Sequence, residues 1–189
     1  MPGERRAADR KDGSLIPLAE QDRGLWDRLA IDEGVSLISD ALANSRLGQY
    51  QLQAAIAAVH AEAPSTEATN WRQICALYAL LERVTSNPMI TLNRAVAVAM
   101  VGGPQDGWTY WPRCRTTAGS APAIGSMRCG HLLEMRGDRE GAVAAYARAA
   151  RRTTSIPEQR YLEARAAAVS APHCRGPISA RQAASGLAE

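Results

Sequence analysis

Between Gly130 and Pro157 the chain reads GHLLEMRGDREGAVAAYARAARRTTSIP, and this stretch decides the fold. His131, Leu132, Leu133 and Met135 form an apolar helical run that leads into a turn at Gly137-Asp138. Ala142, Val143, Tyr146 and Ala149 then recur at the spacing of one helix face. Pro157, whose missing N–H costs nothing in a first helical turn, opens a last helix carrying Tyr161 and Leu162. Small residues at Gly130, Ala142 and Ala149 around one aromatic, Tyr146, mark a hairpin whose helices cross closely.

The same grammar extends upstream. A helix is expected from near Asp22, with Leu25, Leu29, Ile31, Val35, Ile38 and Leu42 as its buried stripe. A second carries Leu52, Ile56 and Val59 and stops at Ala63-Pro64, because a residue before proline is pushed out of helical geometry. Asn70 with Gln73 announces a third, whose stripe is Trp71, Ile74, Leu77, Tyr78 and Leu81. Asn87-Pro88 opens a fourth, running through Ile90, Leu92, Val96, Val98 and Val101 to Gly102-Gly103-Pro104. Tyr78 precedes Pro88 much as Tyr146 precedes Pro157, so both tyrosines are assigned to second helices of successive hairpins.

Composition agrees with this reading. Of 189 residues 46% are hydrophobic, 36 are alanine, 5% are aromatic and none is Phe, which suits closely packed helices and excludes an all-β fold. Arg and Lys exceed Asp and Glu by 22 to 19, too small and too dispersed an excess to form a phosphate-tracking stripe. The start, Met1 to Lys11, is charged, and the longest apolar run, Ala95 to Val101, is far short of the roughly 20 residues a membrane-spanning helix needs. A cytoplasmic protein without membrane contact is expected. The final stretch from about Val169 is expected to be disordered.

The order Gly130, Gly137, Ala142, Tyr146, Ala149, Pro157 resembles a tetratricopeptide repeat, so the fold class expected is all-α, antiparallel helical hairpins in a right-handed array. A more specific resemblance begins with Asp12-Gly13-Ser14-Leu15, Leu18, Gln21-Asp22-Arg23 and Trp26-Asp27. It continues through Tyr50 to Ile56, Glu62-Ala63-Pro64, Asn87-Pro88, Leu92 to Ala97, His131 to Glu134 and Pro157 to Glu163. These blocks, covering roughly residues 10–105 and 130–167, are similar to the C-terminal extension of a group of RNA polymerase sigma factors of the extracytoplasmic function type. The resemblance implies a non-catalytic regulatory module whose partners are the sigma core domains or RNA polymerase, and it marks Gln21, Asp22, Arg23, Trp26 and Asp27 as the contact. In that family, promoter recognition belongs to domains that precede the extension; no helix-turn-helix pattern occurs here, so direct DNA binding is not expected. A free-standing interaction scaffold and a non-functional remnant of a sigma factor gene are the alternatives.

One segment breaks the pattern. Residues 105–129 are expected to be irregular: Gly107 to Cys129 holds three Gly, two Trp and two Cys, no acid, and neither helical nor strand periodicity. Translated from the third base of each codon, Gly107 to Cys114 would yield apolar, Asp, apolar, Leu, Ala, small, apolar, the amphipathic helix that the array otherwise lacks. The segment is read as a local frameshift, against the alternative of a genuine loop exposing Trp108 and Trp111.

Chemistry is sparse. Cys75, Cys114, Cys129 and Cys174 form no CxxC pair, His60 lies in an Ala-rich helix without a nearby Ser or Cys nucleophile, His131 begins a helix, His173-Cys174 belongs to the tail, and no Walker loop, GxSxG or HExxH occurs. No catalysis, metal or cofactor is expected. Trp26 and Trp71 are read as core anchors, and Arg23 and Asp27, one turn apart, as a surface pair.

Overall fold

A computed structural model describes residues 16–110 and 123–171. Among these residues the secondary structure is helical throughout, and the fold is all-α. A 3-10 turn, Arg23–Leu25, precedes α1 (Arg28–Asn44), α2 (Gln49–Glu62), α3 (Trp71–Val84), α4 (Pro88–Gly102), α5 (Pro104–Tyr110), α6 (Ala123–Met135), α7 (Arg139–Ala150) and α8 (Ile156–Ser170). Each helix packs on its chain neighbours, and α4 also reaches past α5 to α6.

Local chemistry sets these boundaries. The first helix begins later than expected, because Asp22 caps only the 3-10 turn, its Oδ1 accepting from Gly24 N–H at 2.9 Å. Asp27 then caps α1, accepting from Ala30 N–H at 3.1 Å. Asn70, Asn87, Asp138 and Ser155 cap α3, α4, α7 and α8 in the same way, and proline sits in the first turn of α4 and of α8. Gly103 (φ 98°) ends α4, and Gly137 (φ 79°) turns the chain after α6, with Gly137 N–H donating to Glu134 O and Asp138 N–H to Leu133 O.

The core runs along the array as three adjoining clusters. Leu52, Ile56, Ile74, Leu81 and Ile90 join α2, α3 and α4; Leu92, Ala95, Ala99, Trp108, Cys129 and Leu132 join α4, α5 and α6; Ala142, Tyr146, Ala149 and Leu162 join α7 and α8. Burying each leucine or isoleucine contributes about 1.5–3 kcal/mol. On α4 the close contacts belong to Ala95, Ala97 and Ala99, whereas the expected stripe residues Val96 and Val98 are half-buried and Val101 is exposed. Small side chains let the neighbouring helix approach, which the branched ones would prevent.

Two expectations about the middle and end of the chain are corrected. The segment 105–129 is helical at both ends: α5 covers Pro104–Tyr110, and α6 starts at Ala123, well before His131. Residues 111–122, including Trp111 and Cys114, lie outside the described residues. Trp108 is buried, 9% exposed, under the Arg136 guanidinium 4.5 Å from its ring centroid. Gly107 makes this possible, since a Cβ there would meet Ala95 O at 2.5 Å and Ala99 Cβ at 2.6 Å. At the other end α8 carries the chain through Ser170, so Val169 is a buried helical residue; the rest of the expected disordered tail, from 172, lies outside the described residues.

Gly130 controls the crossing of α6 and α7. A Cβ there would stand 2.9 Å from the Tyr146 ring, so α6 and α7 can meet at this spacing only with glycine. Gly130→Val is expected to cost about 1–3 kcal/mol in urea unfolding through overpacking. Gly34→Ala, where a Cβ on α1 meets nothing within 4 Å, is expected to stabilise by about 0.5–1 kcal/mol.

Candidate functional site

The residues singled out near the start of the chain come together against the C-terminal end of α2. Arg23 Nη1 donates to His60 O at 2.7 Å and to Ala63 O at 2.5 Å, satisfying carbonyls that the helix end leaves free. Arg28 Nη1 reaches Ala61 O at 3.4 Å. The Arg23 guanidinium lies 5.0 Å from the Trp26 ring centroid, and His60 meets Trp71 edge-on at 5.3 Å. Gln21 Nε2 donates to Ile16 O at 2.9 Å and holds the incoming strand of chain. The expected Arg23–Asp27 surface pair is replaced by two capping roles, because each group finds an orphan backbone partner closer at hand.

Between this turn and α1 opens a cleft of about 360 Å³, lined by Gln21, Leu25, Trp26, Asp27, Ala30, Ile31 and Ala61. Three of the five expected contact residues, Gln21, Trp26 and Asp27, therefore face it. Asp22 and Arg23 do structural work beside it. No residue of α1 is fully buried: Ile31, Val35 and Ile38 are half-buried, whereas Leu29, Leu37 and Leu42, and Leu25 in the turn before them, are exposed, three of the four having been expected in the core. The cause is positional, since among the described residues α1 packs chiefly on α2.

A second arrangement was not foreseen from sequence. Glu134 on α6 accepts from Tyr146 Oη at 2.8 Å and, through both oxygens, from Arg165 at 3.1 and 2.6 Å. Glu82 on α3 likewise accepts from Arg94 at 2.5 Å and from Tyr110 Oη at 2.9 Å. In both triads the second member follows the glutamate by 12 residues, but arginine and tyrosine have exchanged places. Glu82 and Glu134 are 52 residues apart, as are Trp71 and Ala123 at the starts of α3 and α6, so α3–α4 corresponds to α6–α7. That shifts the expected repeat phase: Tyr78 is on α3 and Tyr146 on α7, and the residue equivalent to Tyr146 is Arg94. Burial pushes the Glu82 carboxyl up, but hydrogen bonds from Arg94, Thr91 and Tyr110 outweigh it and hold the acid below the usual carboxylate range. Burial and the Glu134 hydrogen bond drive the Tyr146 phenol far above its ordinary value.

The packing residues of the helical repeat pattern are where a close hairpin needs them. Gly130 faces Tyr146, Gly137 makes the turn, Ala142 and Ala149 are 0% exposed, and Pro157 is in the first turn of α8. No three His, Cys, Asp or Glu side chains among the described residues gather to hold a metal ion. No helix among them is long and apolar enough to cross a membrane.

No family model matches the chain, and no solved structure does. The chain is 47% identical over 100 residues to an uncharacterized protein of Rhizobium meliloti (strain 1021), a match covering 53% of this chain and 24% of that protein. The chain thus spans about a quarter of its relative's length.

His60 and His131 are both held below the ordinary imidazole value of 6.5, first by burial and then by neighbouring cations, Arg23 and Arg128 for His60 and Arg165 and Arg128 for His131; Glu134 acts the other way on His131. The folded chain therefore binds fewer protons than the unfolded one near and below pH 6.5. This contribution to stability is complete above 6.5 and is lost as pH falls toward the lowered values. The thermal midpoint is expected to fall between pH 7 and pH 5, and His131→Gln to flatten that slope in a calorimetric pH series.

Proposed function

We propose that this chain is a non-catalytic, tetratricopeptide-like interaction module of an extracytoplasmic function sigma factor, acting in the cytoplasm to regulate transcription initiation. The observation that carries the reading is the gathering of Gln21, Trp26 and Asp27 around one cleft, beside the exposed leucines of α1. The residues that carry the resemblance thus coincide with apolar surface available to a protein partner. The sigma core domains would dock there, and differential contact with their active and inactive arrangements would shift the population of active factor. The match to a relative over only 24% of its length supports the reading, since in that protein the matched stretch is one part of a longer chain.

Charge reversal at Asp22 and Arg23 would strip caps from the turn and from α2, so the cleaner probes are Leu25→Glu and Leu29→Glu, at side chains 57% and 82% exposed. Each is expected to leave the thermal midpoint unchanged while weakening binding to sigma core domains about tenfold or more in a titration. Binding that neither variant alters, or capture of a partner unrelated to polymerase, would favour the free-standing scaffold instead.

A further inference from the structure

The outward side of α1 carries two exposed rows. Ala30, Gly34 and Leu37, spaced by four and three, share one row, and all three are exposed. The row begins at the cleft, of which Ala30 is a wall, and runs to Leu37, 64% exposed. At its middle the surface is open, since a Cβ added at Gly34 would meet nothing within 4 Å. Beside it lies a second row, Leu29, Glu33, Ser36 and Asp40, exposed at every position. An apolar face rimmed by polar side chains marks an interaction surface. The rim has one sign. From Leu29 to Ser45 the chain holds Asp32, Glu33 and Asp40 and neither lysine nor arginine, and Asp27 adds a carboxylate to the cleft wall. The two arginines at the start of the helix are turned toward α2, Arg23 onto the His60 and Ala63 carbonyls and Arg28 onto Ala61 O.

We infer that this face of α1 receives an amphipathic helix with a basic rim. Leucine-type side chains of the incoming helix lie along Ala30, Gly34 and Leu37, one bulky side chain enters the cleft against Trp26 and Ile31, and lysines or arginines meet Asp27, Glu33 and Asp40. A helix fits better than a strand, because the backbone groups of α1 are paired within the helix and offer no edge to extend. The 17 residues of α1 span about 25 Å, room for a partner of roughly four to five turns. Gly34 lets the partner come close at the middle of that length. The same charges argue against a second copy of α1 as the occupant, since it would set Glu33 and Asp40 against their own kind. The apolar row supplies the affinity, and the acidic rim selects and orients the partner. This inference rests on the reading of the α1 face as the docking surface and adds the chemistry of what docks; it does not require that element to come from a sigma factor.

The test is a fluorescence-anisotropy titration of the full chain into a labelled synthetic peptide of about 18 residues, matched to α1 in length, with leucine at every third or fourth position and Lys and Arg flanking the leucines. One control peptide carries Glu in place of the Lys and Arg, and another has the same composition scrambled so that the leucines share no face. Saturable one-to-one binding of the basic peptide is expected, with each control weaker by about tenfold or more. Raising sodium chloride from about 50 to about 500 mM is expected to weaken the basic peptide severalfold. Gly34→Arg puts bulk and a cation into open space, so the thermal midpoint is expected to hold or rise while binding falls about tenfold or more. Leu37→Arg, farther along the same row, is expected to act alike and gives an independent reading. Equal binding of the Glu-flanked peptide overturns the basic rim. Equal binding of the scrambled peptide, or binding that neither variant alters, overturns the α1 site, and self-association in sedimentation that Gly34→Arg abolishes gives the face to a second copy instead. Sigma core domains that bind with no response to Gly34→Arg or to salt overturn this inference and leave the sigma reading standing. The basic peptide binding where sigma core domains do not removes that reading and leaves the inference.

Discussion

The half-buried carboxylate of Glu134 ties together the helices of the second half of the molecule. A carboxylate partly withdrawn from water is steadied by donors, and here they come from two different helices, a phenol from α7 and a bidentate guanidinium from α8. Three helices are therefore fixed relative to one another by one side chain. The ring of Tyr146 can reach that oxygen only because Gly130 leaves space for it to lie flat on α6. Polar satisfaction and close packing thus reinforce each other, and neither survives a change in the helix spacing.

The first half solves the same problem with the donors exchanged. Glu82 takes a guanidinium from α4 and a phenol from α5, and Arg94 also lies 4.7 Å from the Tyr110 ring centroid. The position of the acid is the conserved element of the design within this chain, while the identity of each donor depends on what the local helix can reach. A long flexible arginine spans from α8, which is set off by the loop 151–155, whereas the shorter tyrosine serves where the crossing is close.

Much of the fold was legible because helix ends carry chemical marks. Asp27 aside, the caps at Asn70 and Asn87, Pro88 after the second of them, and Gly137 all stand where their local hydrogen bonds require. The hairpin from Gly130 to Pro157 was legible for the same reason. What escaped reading has a common cause: periodicity reports which face of a helix is apolar, and says little when a helix packs through glycine and alanine. Gly107 and Ala95 make α5 and α4 touch without leaving an apolar stripe, so α5 escapes periodicity and the segment 105–129 reads as irregular. The opposite error arose on α1, whose regular leucines signal a buried face although Leu29 is 82% exposed. Of the candidate site, the capping roles of Asp22 and Asp27 follow from their types, but the reach of Arg23 to the α2 carbonyls depends on tertiary geometry that spacing does not encode.

The position of α1 at the edge of the array has a consequence for how the molecule opens. Among the described residues every other long helix contributes side chains that are fully buried, whereas α1 contributes none and rests chiefly on α2. The free energy of local opening therefore rises from the first helix toward the interior of the chain, and backbone amides of α1 exchange with solvent through excursions that leave α3 to α8 intact. The α1 wall of the cleft belongs to the least anchored helix, while Arg23 and Gln21 at its other side are tied to α2 and to Ile16. The cleft is thus a mouth with one fixed lip and one compliant lip, able to widen at small energetic cost without disturbing the core behind it.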